Sequence, residues 1–136
     1  MFRWIFAVTL SISAAIAAQE KTALERGEYG PSDKAAESAL YDLPVKVSDH
    51  VYSAIGATQP PTYKNAGHNN NLSFVIGSES VLVVNGGANN ALARALHVEI
   101  KKVTDLPVRY VISENGQGHA MLGNHYWKSQ DAVLIG

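Results

Sequence analysis

An α/β fold, with a mixed β-sheet and helices packed on one face, is what this sequence predicts. Three observations carry that prediction. The runs Leu72–Ile76 and Val81–Val84 are rich in β-formers and are separated by Gly77-Ser78-Glu79-Ser80, which reads as a hairpin. Ala88, Leu92, Ala95, Leu96, Ile100 and Val103 then recur every three or four residues, the spacing of one apolar helix face. The apolar run Val108–Ile112 follows directly on Pro107, which stops the helix. A strand, a crossover helix and a second strand make a parallel pair, and such crossovers are right-handed. From Leu72 onward the expected order is ββαβαβ.

The elements follow in order along the chain. Residues 1–18 begin with one positive charge at Arg3, continue apolar from Trp4, and end in the small residues Ala15, Ala17 and Ala18. That pattern is a secretory signal peptide, cleaved after Ala17 or Ala18. Its apolar stretch is shorter than the roughly 20 residues a bilayer span needs, so no stable membrane insertion is expected after cleavage. Residues 19–42 form a polar leader broken by Gly27, Gly30 and Pro31, with a short helix expected after Ser32. The domain is expected over 43–136. It opens with two strand-like runs around Ser48-Asp49-His50 that include Val51, Tyr52 and Ile55. A long loop, 56–71, carries Pro60-Pro61, Gly67 and Asn69-Asn70-Asn71 but no apolar period. Loops of that length inside a compact domain are commonly functional. Gly86-Gly87 is a close strand-to-helix turn, since the fuller phosphate-cradling glycine patterns are absent. The helix is expected over 88–104, with Lys101 and Lys102 favourably placed in its last turn. A single short helix near 121–128 and a last strand at 132–135 complete the chain.

Composition removes several classes of function. The formal net charge is −1, and Arg3 is the only charged residue of 1–18, so the remainder is one unit more negative. Nothing in that balance suits nucleic acid or an anionic membrane as a partner. The chain has no cysteine, which excludes a disulfide framework and a thiolate metal site. Export together with the absence of cysteine points to a periplasmic or secreted protein.

The stretch after Val108–Ile112 reads Ser113-Glu114-Asn115-Gly116-Gln117-Gly118-His119-Ala120-Met121-Leu122-Gly123-Asn124. A buried strand, a loop of this length and a Leu-Gly-Asn helix start resemble the first metal-binding motif of the metallo-β-lactamase superfamily, Thr-His-x-His-x-Asp-His. Asn85-Gly86-Gly87 stands where that family has Asp-x-Gly, and residues 104–112 resemble its usual approach to the metal loop. The Gln-x-His spelling ahead of Leu-Gly-Asn is similar to that of a periplasmic subgroup. The resemblance covers about 44–136 and implies the N-terminal half of an αββα sandwich. The second half, absent from this sequence, is then expected to complete the fold.

By position, the resemblance places Asn115 and Gln117 at the first two histidine ligands, His119 at the aspartate and Ala120 at the last histidine. It implies zinc as the cofactor. Zinc, however, takes imidazole, carboxylate or thiolate donors, and amide oxygens are poor substitutes. Tight zinc binding is therefore not expected, and His119 is the main ligand available to any metal. A single ion held by His119, Glu114 and His68 or His125 is one alternative. Another is a His119 that orders the loop or meets a metal-free ligand. The expected site-lining residues are Asn85, Glu114, Asn115, Gln117, His119 and His68, gathered beneath loop 56–71, beyond the carboxyl ends of the parallel strands. Two functions follow, each with a small-molecule partner. One is an exported hydrolase-like protein with an atypical metal loop, acting on an ester, thioester, amide or sulfur compound. The other is a non-catalytic binding or scaffold protein that has lost its zinc site.

Overall fold

The computed structural model describes residues 39–136. The expected signal peptide, and the leader up to residue 38 with most of the short helix expected over 35–40, lie outside the described residues. Within them one six-stranded sheet runs in the order β1-β2-β3-β4-β5-β6. The strands are β1 (Val45–Ser48), β2 (Val51–Ala54), β3 (Leu72–Ile76), β4 (Val81–Val84), β5 (Val108–Ile112) and β6 (Val133–Ile135). Helix α1 (Asn90–Val103) joins β4 to β5, and the short helices α2 (Gly118–Met121) and α3 (Asn124–Lys128) join β5 to β6.

The first four strands pair antiparallel, β1 with β2 and β3 with β4 through tight reversals and β2 with β3 across loop 56–71. β4 with β5, and β5 with β6, pair parallel, because a helical segment returns the chain each time. The sheet is therefore mixed, as the alternation of hairpins and helices in the sequence requires.

One face of the sheet holds the core. Leu72 and Phe74 of β3, Val81 and Val83 of β4, and Val111 of β5 pack with Leu92, Leu96 and Ile100 of α1. All three helix residues are fully buried, as their spacing demands. Tyr52 extends this layer by stacking on Phe74, with centroids 4.9 Å apart. Asn89 caps α1, its Oδ1 accepting from Leu92 N–H at 2.9 Å, which satisfies one of the helix's orphan donors. Lys101 reaches past the far end to the Asp105 and Leu106 carbonyls. Leu40, within the stretch read as leader, is 2% exposed and belongs to the same core.

Three sequence expectations need correction. Val103 leaves the apolar stripe and is 43% exposed, because it is the last residue of α1, where the chain turns at Thr104 towards β5. Ile55 lies beyond the end of β2 and is exposed. The single helix expected near 121–128 is two helices broken at Leu122-Gly123. The break follows from a backbone approach: Gly123 N–H donates to Gly87 O at 2.7 Å, and a Cβ on Gly123 would collide with Gly86 O.

The other face of the sheet carries two registered rows. One crosses Val45, Ser53, Ser73, Val84, Ile112 and Ile135; the other crosses Val51, Val75, Leu82, Tyr110 and Val133. Only the Ser53–Ser73 hydroxyl pair, 2.8 Å apart, interrupts their apolar character. No described helix covers these rows, and Val45, Tyr110, Val133 and Ile135 are each more than two-fifths exposed. A continuous apolar face of this kind marks a packing surface.

Leu96 tests the layer arrangement directly. Leu96→Ala should cost about 2–5 kcal/mol in urea denaturation, the usual price of a buried leucine cavity. Leu96→Asp should abolish the cooperative transition, because its carboxylate would be buried without a partner. Retention of wild-type stability by either variant would contradict the placement of α1.

Candidate functional site

The end of β4 organises everything around it. Asn85 follows the strand with φ of 68°, a left-handed conformation that asparagine tolerates better than most residues. Its backbone N–H donates to Ile112 O at 2.8 Å. The side-chain Oδ1 accepts from Glu114 N–H at 3.1 Å, and Nδ2 donates to Asn71 O at 3.1 Å. One buried amide thus ties β4 to the loop after β5 and to the end of loop 56–71. An aspartate could replace the acceptor but not the donor, which gives Asn85 a physical reason to be an amide.

Gly86 and Gly87 continue this junction. Gly86 N–H donates to Ala120 O at 2.6 Å, and Gly86 O accepts from Trp127 Nε1 at 3.0 Å. Trp127 is fully buried and lies edge-on to Tyr126, whose hydroxyl meets His97 Nδ1 at 3.0 Å. Both aromatic residues serve as anchors of α3 against α1.

Loop 56–71 is ordered from within by Asn65, which is 2% exposed. Its Oδ1 accepts from Thr62 N–H and Gly67 N–H, and its Nδ2 donates to Pro60 O. Asn89 Nδ2 donates to Ala66 O at 3.0 Å, so the residue that caps α1 also holds the loop over the helix start. On the opposite flank, Asn70 Nδ2 donates to Glu114 Oε1 at 3.0 Å.

Between this loop, the start of α1 and α2 lies a cavity of about 920 Å³. Tyr63, Ala66, Asn89, Ala91, His119 and Leu122 are among its walls. A second depression of about 380 Å³, at the ends of β5 and β6, is lined by Glu114, Asn115, Met121, Asn124 and Leu134.

The expected site residues therefore separate. His119 lines the larger cavity, under the loop, and its ring makes no hydrogen bond to the described residues. Glu114 and Asn115 line the smaller depression, and Asn115 Oδ1 accepts from Gln117 N–H at 2.8 Å. Gln117 is exposed at the N-cap of α2, without a side-chain cap bond. Asn85 and His68 are 3% and 1% exposed and hold backbone rather than lining either space. His125 is exposed on α3. Sequence reasoning singled out none of Tyr63, Asn69, Ala91 or Leu122 as cavity residues. The available signals were the long loop and an asparagine directly before a helix.

A zinc ion does not fit the donors assembled here. Among the described residues, no group of three histidine, cysteine, aspartate or glutamate side chains is placed to hold a metal. The amides at 85 and 115 are engaged in structural hydrogen bonds, and amide oxygen is a weak zinc donor in any case.

His68 has a different role. Its Nδ1 accepts from Tyr41 N–H at 2.8 Å, which puts the proton of the neutral ring on Nε2. Nε2 is buried with no hydrogen-bond partner. Burial pushes the His68 pKa down, against upward pulls from the backbone at Ala54 and Asn70 and from the Asp42 carboxylate. Burial also lowers His97, assisted by Lys101.

No protein-family model and no curated protein matches the sequence. Solved structures do match. A metallo-β-lactamase, FIM-1 from Pseudomonas aeruginosa in a mono-zinc form, is 14% identical with a TM-score of 0.54, over 71% of this chain and 43% of that one. A metallo-β-lactamase from Erythrobacter litoralis with β-mercaptoethanol in its active site is 13% identical with a TM-score of 0.53, over 67% and 39%. The fold is the α/β fold of the metallo-β-lactamases, and the chain spans less than half the length of these two structures. That partial span fits the N-terminal half of the fold.

The histidines predict acid sensitivity. Their lowered folded pKa values mean that the stability they contribute is complete above the ordinary histidine value of 6.5 and is lost as pH falls through the folded values. The urea midpoint should therefore fall between about pH 8 and pH 5. His68→Gln should be less stable at the upper pH yet lose less on acidification. An unchanged loss would show that His68 is not the sensitive group.

Proposed function

We propose that this chain forms the N-terminal half of an exported, hydrolase-like metallo-β-lactamase-fold protein that binds a small molecule under loop 56–71 without the family's dinuclear zinc. The carrying observation is the cavity itself, which joins His119 to a loop pinned at both flanks by Asn89 and Glu114. Concave, largely apolar spaces of this size with a few polar groups are the usual form of small-molecule sites. Asn85 and Asn115 support the metal-free reading, since their amides serve loop geometry.

The apolar rows on the outer face of the sheet support a second half of the fold as their cover. The two β-lactamase structures contain more chain than this sequence matches, and an uncovered face of this kind is an aggregation hazard. The signal-like residues 1–18 support export to the periplasm or beyond.

A second reading is a metallohydrolase acting on an ester, thioester, amide or sulfur compound. It is favoured by the structural likeness, which includes a protein described in a mono-zinc form. One metal analysis separates the two. The full gene product, purified from the periplasm and dialysed against zinc-free buffer, should retain far less than one zinc per chain. Stoichiometric zinc that disappears in His119→Ala would overturn the metal-free reading and establish the second.

A further inference from the structure

Among the described residues, the walls of the larger cavity carry no lysine, arginine, aspartate or glutamate. Pro61, Tyr63, Ala66, Ala88, Ala91 and Leu122 supply its apolar walls, and among the described residues Tyr63 and His119 are its only titratable groups. A charged ligand entering such a space gives up hydration and meets no opposite charge. The start of α1 supplies only a fractional positive charge, and Asn89 Oδ1 already takes the Leu92 N–H there.

The polar side chains that remain, Tyr63, Asn69, Asn90 and His119, include no carboxylate, ammonium or guanidinium group. Asn69 Oδ1 is buried, whereas Asn90, at the start of α1, is an exposed amide that can donate or accept. His119 offers a ring nitrogen as acceptor when neutral. Both amide groups of Asn89 are engaged, Oδ1 with Leu92 and Nδ2 with Ala66.

We infer that the cavity takes an uncharged ligand with an apolar body and a hydrogen-bonding group, such as a carboxamide or hydroxyl, rather than an anion or a cation. This rests on the small-molecule reading of the cavity and narrows it to one chemical class. The hydrogen-bonding group meets Asn90 or His119, and the apolar body covers the walls formed by Ala66, Ala91 and Leu122.

Three ligands with one common body test this: 2-naphthamide, 2-naphthoate and 2-naphthylmethylammonium, each titrated calorimetrically into the full chain. The amide should bind at least ten-fold more tightly than either charged analogue. Ala91→Trp, at an exposed position in the first turn of α1, should fill the cavity and abolish binding while leaving the far-UV circular dichroism unchanged. Preference for the naphthoate or the ammonium would overturn the uncharged-ligand inference and leave the cavity reading intact. Amide binding that survives Ala91→Trp in a folded variant would place the ligand elsewhere and overturn the inference. Failure of all three to bind would overturn the cavity reading itself.

Discussion

The backbone contact between Gly86-Gly87 and the segment 120–127 is the constraint on which the rest of this structure depends. Four hydrogen bonds cross it or flank it: Gly86 N–H to Ala120 O, Gly123 N–H to Gly87 O, Trp127 Nε1 to Gly86 O, and Asn85 N–H to Ile112 O. No side chain can be interposed. A Cβ at Gly123 would meet Gly86 O, and one at Gly86 would meet the Asn124 side chain. Buried backbone groups must be paired, and here each strand end finds its partner in the neighbouring helical segment. The contact accounts for two helices where periodicity alone suggests one. It also accounts for a tryptophan buried beside a glycine carbonyl.

Function inherits this geometry. α2 is only four residues long and has no side-chain cap, so its position is set by the glycine contact rather than by its own helical stability. His119 sits on α2 and reaches the cavity because Ala120, next in sequence, is held by Gly86. Asn85 extends the same junction to loop 56–71, and Asn89 closes it from α1. The cavity is therefore bounded by segments that share one anchoring region, and its loop carries internal hydrogen bonds of its own through Asn65.

Much of the fold was legible because its elements are periodic. The β3–β4 hairpin, α1 and β5 announce themselves through alternation, three- and four-residue spacing and Pro107. Other features depend on contacts between residues distant in sequence, which periodicity does not encode. The break at Gly123 needs knowledge of Gly86 opposite it. Leu40 looks like part of a polar leader until the core is seen to include it. The candidate site was legible in its neighbourhood, with His119 under the long loop, but less so in its membership. Asn85, Glu114, Asn115 and His68 are polar residues of similar appearance in sequence. Only their hydrogen bonds distinguish holding a backbone from lining a cavity.

The glycine contact can be tested at one position. Gly123 has φ of −79° and ψ of −5°, a conformation open to alanine, so Gly123→Ala probes the close approach rather than backbone freedom. Gly116, whose added Cβ would meet nothing within 4 Å, supplies the control. In urea denaturation, Gly123→Ala should lose about 2 kcal/mol or more, the scale of overpacking a tight contact. It should also lose the near-ultraviolet signal of Trp127, while Gly116→Ala remains close to wild type. Wild-type stability and an unchanged Trp127 signal in Gly123→Ala would contradict the account.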